Sequence, residues 1–157
     1  INANASNPSG VIEEVSIKDN IEIAKKYLKE GNLAIAVVKD GKLIFKSQEK
    51  GIKPMYTLAT KMKEISKGAS IADRVIGKGA AMLCKYIDVE EVYGQLISIN
   101  AIEVLEETSI IYSYENTCPY IKNRDKTDLC PIEKIATNAK DIDTLLERIE
   151  GFLNSIN

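Results

Sequence analysis

Helix-like and strand-like patterns of apolar residues alternate along this chain, and this alternation constrains its fold more than any other feature. Apolar residues three and four apart predict helices over 16–30, 54–66, 80–87, 101–107 and 141–153, with a short one opening at Cys130. Short β-branched runs predict strands over 33–38, 42–47, 69–76, 91–99 and 110–114. Because single helices separate the later strands, we expect right-handed crossovers between them. The order predicts an α/β fold, a three-layer α/β/α sandwich with a five-stranded mixed sheet.

The length of 157 residues is enough for one hydrophobic core, and therefore predicts one domain. Residues 1–12 are rich in Asn, Ala and Ser and have no periodicity. They predict a disordered arm or an appended cloning remnant, followed by a single domain over 13–157.

Composition excludes several classes of function. The chain has no histidine, which removes Ser-His-Asp and Cys-His catalysis and every His-ligated zinc site. A formal charge of −2 and the lack of a basic tract argue against nucleic-acid binding. No apolar run approaches the roughly 20 residues of a membrane span, and no secretory signal opens the chain. Three cysteines are too few for a disulfide scaffold, so we expect reduced thiols in a cytoplasm.

Two stretches carry a family resemblance. Residues 71–81 (IADRVIGKGAA) and 119–133 (PYIKNRDKTDLCPIE) resemble those of a small prokaryotic family of domains of unknown function with a cytidine deaminase-like fold. The resemblance runs over 17–148 and implies a helix, a β-hairpin and then repeated helix-strand units. Deaminase-like folds often assemble as dimers or tetramers, so the resemblance also implies a homo-oligomer.

The sequence departs from true deaminases at the positions that bind zinc. Zinc deaminases place His or Cys, any residue and then Glu at the start of the helix after the hairpin, and Pro-Cys-x-x-Cys at the start of the next helix. Here these positions hold 51–54 (GIKP) and 76–81 (IGKGAA), which offer neither metal ligands nor the general acid. We therefore expect no metal, no cofactor and no zinc-dependent deamination.

The first candidate ligand site is the turn Gly77, Lys78 and Gly79, which follows a predicted strand and opens a predicted helix. Free N–H groups, the helix dipole and the lysine charge all favour a phosphate at such a turn. Alternatively, the glycines only make a tight turn and the lysine is solvated. Asp73 lies near the end of the same strand, where open α/β sheets bind ligands. The alternative there is an edge-exposed charge pair of Asp73 with Arg74.

The second candidate site is Cys130, at a predicted helix start that favours the thiolate. Upstream of this nucleophile are an orienting amide and a cation-carboxylate pair, namely Asn123, Arg124 and Asp125. Alternatively, Cys130 packs against the sheet and Glu133 completes a capping arrangement.

A segment without periodicity over 115–129 precedes this helix, and long structureless loops are more often functional than idle. It contains Cys118, which either stays reduced or pairs with Cys130 in a disulfide or redox switch. Tyr112, Tyr114 and Tyr120 near this loop either stack on a base or pack against the terminal helix. By contrast, Cys84 lies among apolar residues and is expected to be an inert core residue.

Three functions follow from these features. The leading hypothesis is a module that binds a phosphorylated nucleotide or nucleotide sugar near Asp73, Lys78 and Gly79, with the loop 123–130 covering it and Glu133 in the same site. The second is an enzyme that uses Cys130 in a transfer, hydrolysis or redox reaction. The third is a non-catalytic, homo-oligomeric interaction protein.

Overall fold

A five-stranded mixed sheet forms the middle layer of the computed structural model, which describes residues 20–123 and 125–156. The predicted N-terminal arm and Arg124 lie outside these residues. The strands are β1 (Ile35–Lys39), β2 (Lys42–Ser47), β3 (Ser70–Ile76), β4 (Glu91–Ser98) and β5 (Ile111–Cys118). The helices are α1 (Asn20–Glu30), α2 (Lys53–Lys61), α3 (Lys63–Ser66), α4 (Lys78–Ile87), α5 (Ile99–Glu106), α6 (Pro131–Asn138) and α7 (Ile142–Ser155).

The strand order is β2-β1-β3-β4-β5. β1 is antiparallel to both β2 and β3, and β3, β4 and β5 are parallel to one another. The predicted hairpin reverses at Asp40 and Gly41, whose φ angles of 52° and 77° match the turn that suits two twisted strands. β3 is therefore the central strand, and its residue Asp73 lies between Ile35 of β1 and Gly94 of β4.

Both faces of the sheet are covered, which confirms the predicted three-layer sandwich. On one face, α1 packs Ile21, Ala24 and Leu28 against alternate residues of the central strands. On the other face α2, α4, α5, α6 and α7 enclose the larger core. Successive residues of a strand point to opposite faces, so β1 is apolar at nearly every position because both of its faces are buried.

Several predicted boundaries are wrong, and each has a local cause. The helix expected over 54–66 is broken at Met62, whose φ of −132° is not helical. Ser98, not Asn100, caps α5, because its hydroxyl accepts the N–H of Ala101 at 3.1 Å. β5 continues to Cys118, paired with Ser98, so the connection to α6 is shorter than the sequence indicates. Its polar, exposed residues conceal an edge strand from a search for apolar alternation.

Among the described helices, none combines the length and the apolar character needed to cross a lipid bilayer.

Candidate functional site

A cavity of about 750 Å³ opens where α2 and α4 begin, beside the C-terminal half of β3. This volume lies in the range of small-molecule sites. The start of β1, the β2–α2 connection and the segment leading into α6 complete its wall. The lining includes Leu33, Ile35, Glu49, Lys50, Ile52, Pro54, Met55, Asp73, Arg74, Gly77, Gly79, Ala80, Ile121, Lys122, Cys130, Ile132 and Glu133.

Asp73 is half-buried, unlike the exposed charged side chains of the wall, and therefore lies toward the inner end of this cavity. It follows Ile71 and Ala72 on β3, and strand alternation places it on the same face as Ile71, toward α2 and α4. Its Oδ1 accepts the N–H of Val75 at 3.3 Å. Burial raises the pKa of Asp73 to about 7, although the backbone N–H groups of Val75 and Arg74 act in the opposite direction. The carboxyl therefore titrates in the neutral pH range rather than in the acidic range of an exposed aspartate.

Arg74 has a structural role on the opposite face of β3. Its Nε donates to the carbonyl of Leu33 and its Nη2 to the carbonyl of Leu28, both at 2.8 Å. The guanidinium thereby satisfies a carbonyl in the last turn of α1, where a cation is also favoured by the helix dipole. The alternative interpretation of Asp73 and Arg74 as an edge-exposed charge pair is therefore wrong. β3 is a central strand, and the two successive side chains point to opposite faces of the sheet.

Glu133 belongs to α6, but its side chain lies at the start of α4. The residue is only 1% exposed. Its Oε1 accepts the backbone N–H of Lys78 at 2.6 Å. Its Oε2 accepts the side-chain amide of Asn100 and the N–H of Ile121, each at 3.3 Å. The N–H that was expected to bind a ligand phosphate thus donates to a carboxylate of the protein itself. Glu133 caps α4 rather than its own helix, whose N-cap Cys130 makes no side-chain cap bond.

The two glycines of this turn make room for protein atoms. A Cβ on Gly77 would lie 2.7 Å from Oε1 of Glu133, and one on Gly79 would lie 2.6 Å from Cγ2 of Ile132. Both distances are too short for non-bonded atoms, so a Cβ at either position would force its neighbours to move. Glycine suits both positions because α6 packs closely on the start of α4. The side chain of Lys78 is not part of the cavity wall.

The segment between β5 and α6 is more ordered than predicted. Residues 122 and 129 form an isolated antiparallel bridge. The side chain of Asn123 accepts the N–H of Thr127 at 3.1 Å and so stabilises this turn, while Asp125 is exposed. Neither lines the cavity, and Arg124 lies outside the described residues. The three tyrosines near the segment, Tyr112, Tyr114 and Tyr120, also lie away from the cavity wall.

The described cysteines are free and occupy three different environments. Cys130 is half-buried and lines the cavity, and its N–H donates to the carbonyl of Ile121 at 2.9 Å. Cys118 is half-buried, and burial together with the charge of Glu133 raises the pKa of its thiol. Cys84 is fully buried under the sheet, and this burial raises its pKa strongly, as expected of a core residue.

The structure brings Asp73, Gly77, Gly79, Cys130 and Glu133 to one cavity and leaves the predicted Lys78, Asn123 and Asp125 outside its wall. It also reveals wall residues that sequence analysis missed, above all the charged Glu49, Lys50 and Lys122. Nothing in their local sequence marks them, because an exposed charge next to a turn is common. Among the described residues, no group of three or more His, Cys, Asp and Glu side chains is arranged to hold a metal ion.

Comparison with known proteins identifies the family. The model of the domain of unknown function DUF1893 (TM1506) matches residues 23–153. The crystal structure of the DUF1893 family protein TM1506 from Thermotoga maritima, at 2.70 Å resolution, superposes with a TM-score of 0.76. The two chains are 23% identical over 85% of this chain and 90% of that one, which shows a shared fold. No protein with a curated description matches the chain.

Neither match describes the fold as cytidine deaminase-like, and that part of the resemblance stays a prediction. The family match covers most of the chain, including the cavity residues on β3, α2, α4 and α6. This chain therefore belongs to the DUF1893 family of domains of unknown function.

Proposed function

We propose that this protein binds a small phosphate-bearing molecule, of the nucleotide or nucleotide-sugar type, in the cavity between α2 and α4. The observation that carries the proposal is the composition of the cavity wall. Its inner part is largely apolar and ends at Asp73, whereas Lys50 and Lys122 are exposed and therefore lie at its mouth. A few polar groups on an otherwise apolar, preformed cavity are typical of small-molecule sites.

The mouth is the better place for the phosphate. The N–H of Lys78 already donates to Glu133, and a second anion there would meet a buried carboxylate. Lys50 precedes α2 and Lys122 precedes α6, so two separate segments each contribute one lysine to the same cavity wall. Ammonium groups on flexible stems can close on a phosphate from two sides while remaining partly solvated.

The position of the cavity supports a deaminase-like scaffold without zinc chemistry. It is bounded by Ile52 and Pro54 at the start of α2 and by Gly77 and Ala80 at the start of α4. The family resemblance places the zinc ligands of true deaminases at these two helix starts. Here they carry apolar and small residues, which leave the space open to an organic ligand.

A melting-temperature screen against nucleoside phosphates and nucleotide sugars tests the proposal. At a ligand concentration of 100 Kd we expect a rise of about 5 °C or more. The double variant Lys50→Gln/Lys122→Gln should lose the shift. The matched control Lys46→Gln/Lys126→Gln removes the same charge from exposed positions outside the cavity wall and should keep it.

The response of Lys78→Ala decides between the two phosphate positions. The shift should survive this substitution if the phosphate binds at the mouth. If Lys78→Ala loses the shift and the two substitutions at the mouth do not, the phosphate binds at the start of α4 instead. No shift with any phosphorylated compound would overturn the proposal.

A second candidate function rests on Cys130, because its thiol lines the same cavity as the carboxyl of Asp73. A thiol can act as the nucleophile of a transfer or hydrolysis reaction, and a group that titrates near neutral pH can act as its general acid or base. The test is the rate at which iodoacetamide alkylates Cys130 at pH 7. Alkylation faster than that of a free model thiol supports this function, and alkylation no faster than the model thiol removes it.

A homo-oligomer stays a prediction, and light scattering during size-exclusion chromatography measures it. A single monomeric mass at working concentration would contradict it.

A further inference from the structure

The carboxyl of Asp73 has no charged or side-chain partner among residues 20–123 and 125–156. Its Oδ1 accepts one backbone N–H, from Val75. No described lysine or arginine nitrogen lies within 4.0 Å of it, and the neighbouring Arg74 is bound to two carbonyls of the opposite layer. Asp73 is half-buried, so its carboxylate has lost part of its contact with water without gaining a charged partner in exchange.

The elements around Asp73 supply apolar groups and no cation. β1 places Ile35 beside it, and β4 places Gly94 on its other side. α4 contributes the thiol of Cys84, whose pKa the charge of Asp73 raises further. Met55 of α2 and Ala80 of α4 belong to the same apolar wall.

The other charged groups of the cavity are engaged or distant. Glu133 accepts three N–H groups and has no free role. Glu49, Lys50 and Lys122 are exposed and lie at the mouth. The inner end of the cavity therefore offers a ligand one carboxyl in apolar surroundings, and that carboxyl still has room for hydrogen-bond donors.

We propose that Asp73 binds the end of the ligand that lies deepest in the cavity. This end is a planar cation with two N–H donors, of the amidinium or guanidinium class. Such a group places two parallel N–H bonds on one carboxylate, which is the strongest pairing available to it. The inference rests on the proposed ligand cavity but not on the phosphate or on the lysines at the mouth. A ligand that satisfies both ends would carry its cationic group inward and its phosphate outward.

Binding of such a cation is expected to release protons. The carboxyl is partly protonated in the free protein at pH 6, and a bound amidinium favours the ionised form. Formation of the complex must then expel the carboxyl proton to solvent, because the amidinium already carries its own proton. At pH 8 the carboxyl is mostly ionised, so proton release should become small.

Benzamidine and benzamide provide a matched pair of probes, since they share a shape and differ in charge and in donors. Isothermal titration of the full chain at pH 6 and pH 8, in buffers of different ionisation enthalpy, gives both the affinity and the number of protons released. We expect benzamidine to bind about tenfold more tightly than benzamide or better, with proton release at pH 6. Asp73→Asn should remove the preference and the proton release, whereas Asp143→Asn, the same change at an exposed position of α7 outside the cavity wall, should keep both.

The outcomes separate this inference from the proposed function. Equal binding of the two probes, unchanged in Asp73→Asn, would overturn the inference and leave the cavity as a ligand site. No binding of benzamidine would also overturn it, whatever the nucleotide screen shows. A third outcome is that benzamidine binds selectively and depends on Asp73 while no nucleotide raises the melting temperature. That result would support the inference and contradict the proposal that the ligand carries a phosphate. Ala80→Leu, which narrows the cavity, should abolish binding of both probes while the circular dichroism spectrum is unchanged.

Discussion

The carboxylate of Glu133 accepts the backbone N–H of Lys78 at 2.6 Å, so a side chain of α6 caps the N-terminus of α4. Two further donors, on Ile121 and Asn100, meet the other oxygen of the same carboxylate. One buried side chain thus joins α4, α5, α6 and the segment before α6. The N-cap residue of α4, Gly77, has no side chain to cap the helix itself, which explains why the cap comes from a distant part of the chain.

Removal of this carboxylate should weaken the fold. In Glu133→Ala three N–H groups lose their acceptor inside the protein, and we expect a loss of about 3 kcal/mol in the free energy of unfolding, measured with urea. Glu147→Ala, at an exposed position of α7, is the control and should change stability by less than about 0.5 kcal/mol. Equal effects of the two substitutions would show that Glu133 contributes nothing special.

Gly77 should tolerate no side chain, for steric reasons alone. Its φ of −99° suits any residue, but a Cβ would lie 2.7 Å from Oε1 of Glu133 and 2.9 Å from Cγ1 of Ile121. We expect Gly77→Ala to destabilise the protein by about 1–3 kcal/mol.

Gly151→Ala is the matched control for that substitution. Nothing lies within 4 Å of a Cβ at this position of α7, and alanine is the better helix former, so stability should rise by about 0.5–1 kcal/mol. Thermal or urea unfolding of the two variants in parallel gives both values. A stable Gly77→Ala would contradict the close packing of α6 on α4.

The sequence predicts the layers of the fold well because they depend on patterns within single segments. The β2 strand has the predicted bounds. The β1 strand is recognisable from its unbroken apolar run, because helices cover both faces of the sheet at this strand. The end of β5 is missed for the opposite reason. Its residues are exposed on an edge, so its polar sequence resembles a loop although it pairs with β4 through Cys118.

The candidate site is predicted only in part because it depends on contacts between distant segments. The position of Asp73 follows from the interruption of an apolar strand, which is a local signal. The assignment of Gly77 and Gly79 to a phosphate uses equally local reasoning, yet α6 fills the space beside both residues. The pairing of Glu133 with Lys78 spans 55 positions and has no signature in either segment. For the same reason the lysines at the mouth of the cavity could not be recognised from their neighbours.

Alkylation should sort the three thiols by environment. Cys84 is fully buried and burial raises its pKa, so it should react with iodoacetamide only after unfolding. Cys118 and Cys130 are half-buried and should react in the native protein, with Cys118 slower than a free thiol because its pKa is raised. Peptide mass spectrometry measures the three rates. A molecule bound in the cavity should protect Cys130 and leave Cys118 unchanged, and protection of both would contradict the assignment of Cys130 alone to the wall.

The raised pKa of Asp73 should make the protein lose stability as the pH rises. The unfolded chain titrates this group near its usual value of 3.8, and the folded protein near 7. Between these values the folded state retains a proton that the unfolded state has released, so each step upward in pH disfavours folding. The full penalty is present above pH 7 and amounts to at most about 4 kcal/mol.

Comparison with Asp73→Asn isolates this contribution from the other titrating groups. The substitution keeps the shape of the side chain and removes the ionisation, so its advantage in stability over the natural protein should be small at pH 4 and grow until about pH 8. Urea unfolding at intervals of one pH unit gives the two curves. Parallel curves over this range would mean that Asp73 titrates like an exposed carboxyl, and the carboxyl would then be solvated at the inner end of the cavity rather than held in apolar surroundings and available to a cationic ligand.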